Sequence, residues 1–149
     1  MLEKLHQQSG ESFQNSCDVT PLEPNSFGVV LLGHGSRRAE ANLEWEQIWD
    51  MFRKLHPQLI VQRGYIEFCH PTLAEGVALL LEQRMVHTIL IVPLFLTTGK
   101  HLYQHIPEKI AHLEQEYPGV AFILTEHIGP DHLLLKIIEQ RIAQLGALQ

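Results

Sequence analysis

The sequence predicts an α/β fold: a parallel four-stranded sheet in βαβαβαβα order with helices on both faces, a single flavodoxin-like lobe. Three observations carry this. Short apolar runs alternate with longer stretches whose apolar residues recur at three- and four-residue steps. The apolar runs are nearly continuous, as in strands buried on both faces, and do not alternate with polar residues. The 149 residues suffice for one core and leave little room for a second.

Residues 1–26 stand apart. They are rich in Gln, Ser, Glu and Asn, contain Pro21 and Pro24, and lack both arginine and a continuous apolar segment. They read as a disordered polar tail, neither secretory signal nor transit peptide, preceding a domain at 27–149. Phe27-Gly-Val-Val-Leu-Leu-Gly33 is the first strand. Trp45, Ile48, Trp49, Phe52 and Leu55 stripe the first helix, which His56-Pro57 ends. Leu59 to Phe68 is the second strand, with Gln62-Arg63 as a polar middle. Thr72 and Glu75 have capping-box spacing at the start of a helix whose apolar face is Leu73, Val77, Leu80 and Leu81.

Val86 to Leu96 holds the longest apolar run and reads as a central strand. The third helix covers Leu102 to Tyr117, striped by Ile106, Ile110, Leu113 and Tyr117, and tolerates Pro107 only in its first turn. Val120 to Leu124 is the fourth strand. A last helix begins at Pro130, with Leu134, Leu135, Ile138, Ile142 and Leu145 as its apolar face and Gly146 at its end. Trp45 and Trp49 read as core residues, while His87, His112 and His132 read as solvent-facing.

Composition narrows the function. Lys and Arg total 11 against 17 Asp and Glu, a formal charge of −6, so the basic footprint of a nucleic-acid or anionic-membrane binder is lacking. No apolar run approaches the roughly 20 residues of a membrane-spanning helix. Two cysteines, Cys17 and Cys69, exclude a disulfide framework and a four-thiolate metal site within one chain and suit the cytoplasm. The ten histidines are notable, because imidazole is the commonest metal ligand and the usual proton carrier near neutral pH.

In open parallel sheets ligands bind beyond the carboxyl ends of the strands. Those ends read Gly33-His34-Gly35-Ser36-Arg37-Arg38, Glu67-Phe68-Cys69-His70, Thr97-Thr98-Gly99-Lys100-His101 and Glu126-His127-Ile128-Gly129. Neither a P-loop nor a dinucleotide fingerprint is present. Ser36, the only serine after residue 26, lies in no hydrolase elbow. A phosphohydrolase of the Arg-His-Gly type is disfavoured by Gly33, which stands where that motif needs arginine. What remains is imidazole and carboxylate chemistry, suited to a first-row divalent metal and to moving protons.

The motifs Val29-Val-Leu-Leu-Gly-His34-Gly-Ser-Arg, Gly64-Tyr-Ile-Glu67 with Pro71-Thr-Leu-Ala-Glu, and Ile91-Val-Pro-Leu-Phe-Leu with Gly99-Lys-His101 and Ile106-Pro107 resemble the class II sirohydrochlorin chelatases, the small cobaltochelatase and related ferrochelatase. The resemblance covers the chain from about Phe27 onward. It implies insertion of a divalent metal into sirohydrochlorin, for cobalamin or siroheme, without a nucleotide. Cobalt and iron are the expected metals and nickel a further candidate. It also implies that a single-lobe chain completes the cleft by homodimerisation.

By this resemblance His34 and His101 bind the metal, and Glu67 is the carboxylate at the end of the second strand. Ser36, Arg37, Arg38 and Lys100 sit beside the two histidines, where the basic groups can pair with substrate carboxylates. Many members of the family this chain resembles carry an acidic or a small residue where His70 stands, and often an acidic one where His105 stands. An alternative from another class is a metallochaperone or tetrapyrrole carrier using the same histidines without turnover.

Overall fold

The structure, a computed structural model, describes residues 22–23, 26–97, 99 and 104–146. The expected tail falls almost wholly outside this set, as do Lys100 and His101.

The elements are β1 (Phe27–Gly33), α1 (Ala39–Leu55), β2 (Ile60–Tyr65), α2 (Leu73–Gln83), β3 (Thr88–Pro93), α3 (Ile106–Glu116), β4 (Ala121–Leu124) and α4 (His132–Ala143). All strand pairs are parallel and the order is β2-β1-β3-β4, so the expected βαβαβαβα sheet is present with β3 in its interior. Gly33 pairs with Tyr65, and Leu32 pairs with Pro93. The carboxyl ends of the three strands nearest the reversal of strand order are therefore level, which is where this architecture places a ligand.

The sheet buries two unequal cores. On one face Val30, Leu32, Ile89 and Ile91 pack with Leu73, Val77 and Leu80 of α2 and with Ile106, Ile110 and Leu113 of α3. On the other, Val29, Leu31 and Val61 meet Trp45, Trp49 and Phe52 of α1. The capping box at α2 is present: the Glu75 amide donates to Thr72 Oγ1, and Glu75 Oε2 accepts from the Thr72 amide at 2.7 Å. Pro107 sits in the first turn of α3, where its missing N–H costs nothing.

Two sequence expectations are corrected. The second strand stops at Tyr65: Ile66 donates to Gly33, the last residue of β1, Glu67 donates to His34 in the loop that follows, and Phe68 turns to φ 62°. The third helix runs as α-helix from Ile106, continuing a wider helical turn at Gln104 and His105, and its expected start at Leu102 lies outside the described residues. The last helix keeps its apolar stripe but buries none of it: Leu135 is 60% exposed and Ile138 54%. Ile48 and Leu55 of α1 are exposed as well. Helical periodicity identifies an apolar face, but not the surface that covers it.

Candidate active site

The site is assembled by backbone bonds between strand ends. Leu94 N donates to Leu32 O at 2.9 Å, tying the exit of β3 to β1. Ile66 N donates to Gly33 O and Glu67 N to His34 O, both at 3.0 Å, tying the exit of β2 to β1. Gly35 permits this closeness. Its φ is +88°, and a Cβ there would run into the Glu67 carbonyl oxygen. Gly33 is constrained differently, since a Cβ would meet the Trp45 indole of α1 at 2.5 Å. The Gly-His-Gly sequence thus presents one imidazole on a loop that no larger residue at 33 or 35 would fit.

His34 is exposed at the end of β1. Its Nδ1 lies 3.2 Å from the Gly35 carbonyl, which can only accept, so this contact forms with the proton on Nδ1. Two phenyl rings flank it. Phe68 is tilted at 31° and Phe95 is edge-on at 71°, each with its centroid 6.4 Å away.

Glu67 is half-buried, with its backbone locked to His34. The Arg37 guanidinium stacks over Phe68, 4.7 Å from the ring centre. Arg38 is exposed at the N-cap of α1, and its amide donates to Ser36 Oγ. The Ser36 backbone and the Asn42 side chain exchange two hydrogen bonds, at 3.0 and 2.8 Å, and the Ser36 carbonyl also accepts from the Cys69 thiol. Cys69 therefore braces the loop carrying His34.

The structure brings His34, Ser36, Arg37, Arg38 and Glu67 to one edge of the sheet, while Lys100 and His101 lie outside the described residues. His70 is placed at the entry to α2. Its Nδ1 lies 2.8 Å from Glu75 Oε2, and together with the Thr72 amide it holds the Glu75 carboxyl below its usual range. His105 is exposed at the N-cap of α3. His87, His112 and His132 are exposed as expected.

Behind the site Tyr65 is fully buried. Burial, and then the nearby Glu46 carboxylate, push its hydroxyl up to about 12, so it stays protonated and can only donate to Glu46. Among the described residues no three His, Cys, Asp or Glu are arranged to hold a metal ion. Sequence reasoning missed Phe68 and Phe95 as neighbours of His34. The signal was the adjacency of Phe68 to Glu67, hidden because Phe68 read as the last residue of an apolar strand.

A family model, CbiX, matches residues 28–145. The chain belongs to the CbiX family. Among its relatives it is 32% identical to the sirohydrochlorin cobaltochelatase of Sulfurisphaera tokodaii over 80% of its length and 93% of that protein. It is 31% identical to the chloroplastic sirohydrochlorin ferrochelatase of Arabidopsis thaliana over 77% of its length and 51% of that protein. The chain thus spans about half of the plant CbiX relative and nearly all of the archaeal one.

Among solved structures, a putative cobalamin biosynthesis CbiX protein from Marinobacter aquaeolei superposes with a TM-score of 0.68 at 30% identity, covering 79% of this chain and 95% of that one. The Bacillus subtilis chelatase SirB in complex with cobalt gives 0.74 at 26% identity, covering 80% of this chain and 50% of SirB. No described helix of the present CbiX chain is long and apolar enough to cross a membrane.

Proposed function

We propose that this CbiX chain is a sirohydrochlorin chelatase, inserting a divalent metal, cobalt or iron with nickel as a third candidate, into the metal-free macrocycle without a nucleotide. The observation that carries the reading is His34: an exposed imidazole at the β1 end, with Nδ1 committed to the Gly35 carbonyl and a carboxylate-bearing loop bonded to its own backbone. The sirohydrochlorin chelatase names of the relatives at 31–32% identity support the substrate.

Insertion needs a cation that has shed water and a macrocycle that has lost its pyrrole protons. His34 supplies one imidazole ligand to the metal, and His101 supplies the second. Two imidazoles hold the metal without closing its coordination sphere, so it can be handed to the ring nitrogens. Glu67 accepts pyrrole protons as general base. Arg37, Arg38 and Lys100 pair with the substrate's carboxylates, and Ser36 supplies a further polar contact.

The functional unit is residues 27–149, working in the cytoplasm as a homodimer. Two surfaces support the dimer. Ile123 of β4 is in register with Leu90 of β3 and Val29 of β1, on the face that α1 covers only near β1 and β2, and it is 45% exposed. The apolar residues of α4 are exposed too. A helix with no buried side chain and a half-bare sheet face in the same chain complement each other across a two-fold axis.

The test is an anaerobic absorbance assay of sirohydrochlorin with Co2+, Fe2+ or Ni2+ and catalytic amounts of protein. Many equivalents metallated above the uncatalysed rate is the expected result. Binding of one equivalent without turnover would make the chain a carrier.

A further inference from the structure

The loop after β2 carries a residue whose conformation its own chemistry does not explain. Phe68 has φ 62°, the only non-glycine residue in the left-handed region among those described. A bulky side chain there is a conformational outlier that persists only where its surroundings impose it. The constraints are visible: Glu67 N is bonded to His34 O, and Cys69 N donates to Glu67 O at 2.8 Å, closing a tight turn around the residue. The strain does not serve core packing, because Phe68 is 54% exposed. It turns a phenyl ring outward at the mouth of the site.

What surrounds that ring is flat and conjugated. The Arg37 guanidinium lies over it at 4.7 Å, and the His34 imidazole is 6.4 Å away at a tilt of 31°. Resting on the chelatase reading above, we infer that Phe68 is a positioning residue for the planar macrocycle: it offers the π-face on which one pyrrole-derived ring stacks, setting the ring nitrogens against the metal on His34. Aromatic faces stack on flat heterocycles with little demand on orientation, and a cation held over the ring leaves its charge available to a peripheral carboxylate. Arg37 thereby has two tasks, holding the phenyl ring and meeting the substrate's acidic rim.

An exposed phenylalanine can also serve contact with a second copy, and the test separates the two. Phe68→Leu keeps apolar bulk and removes the π-face, while Phe68→Trp keeps the face. Metal-free sirohydrochlorin is titrated anaerobically into each full-length protein, followed by absorbance. Steady-state metallation with Co2+, Co2+ binding without macrocycle, and light scattering are measured on the same samples.

The expected result is a loss of macrocycle affinity and a rise in KM of about tenfold for Phe68→Leu. Its kcat should stay within about twofold, with Co2+ binding and oligomeric state unchanged, and Phe68→Trp should behave like wild type. Wild-type affinity in Phe68→Leu, or a change confined to the oligomeric state, overturns the inference and leaves the chelatase reading standing. A wild-type protein that neither binds nor metallates sirohydrochlorin overturns that reading and this inference together.

Discussion

A side-chain carbon on Gly35 would collide with the backbone carbonyl of Glu67. The two strand-end loops are therefore fitted together at a position where only glycine passes, and where φ is +88° besides. Gly35→Ala adds strain of about 1–3 kcal/mol, and relief requires the loops to part. The expected outcome is a fall in denaturation midpoint together with a loss of turnover of tenfold or more. Unchanged turnover would mean that the Glu67–His34 backbone bond does not position the chemistry.

His34 and Glu67 are joined through backbone, and on the proposed chelatase reading they have different tasks that substitution separates. His34→Ala removes a ligand from an exposed position, so folding is retained while Co2+ binding weakens and turnover falls by about 10² or more. Glu67→Gln keeps shape but cannot accept a proton, so turnover falls by roughly 10² while Co2+ binding survives. Calorimetric metal titration beside the absorbance assay distinguishes the two. Loss of Co2+ binding in Glu67→Gln would make Glu67 a ligand and move the base elsewhere.

Much of this arrangement is legible in the sequence, for physical reasons. The β1 strand and His34 were plain because Gly-His-Gly after a continuous apolar run has few other uses. The α2 start was plain because a capping box is purely local, from Thr72 to Glu75. The end of β2 was not, because Ile66 and Phe68 are as apolar as strand residues. What ends the strand is the tight turn that follows it, where Cys69 N donates to Glu67 O around Phe68 at φ 62°. The exposure of α4 was equally illegible, since Leu135 and Ile138 recur as they would on a buried face, and a repeat is silent about its partner.

The second helix has a pH-dependent start. The His70 imidazole, then the Thr72 amide, bond to Glu75 and hold its carboxyl below the ordinary value. A carboxyl lowered in the folded state stabilises above its unfolded value of about 4.3, and that contribution is lost as the pH falls through the lower folded value. Glu75→Gln should therefore lower the denaturation midpoint at pH 7, with the gap to wild type narrowing below about pH 4. A gap constant from pH 7 to pH 3 would show that the carboxylate charge contributes nothing to the cap.

The strongest test of assembly lies on the last helix. Met51 of α1 is 69% exposed, and α4 exposes Leu133, Leu135, Ile137, Ile138 and Ile142, more apolar side chain than a monomer ordinarily leaves to water. If a second copy covers this surface, the dimer buries on the order of 1,600 Å² in total. A charge on the helix then has to be dehydrated to assemble, whereas in the isolated chain it costs little, because Ile138 touches no core there. Ile138→Glu should leave the circular dichroism spectrum unchanged, convert the dimer to monomer by light scattering at micromolar concentration, and lower turnover with it, since one lobe walls only one side of a flat substrate. A fully active monomer, from either the wild type or Ile138→Glu, would place the whole site within a single chain.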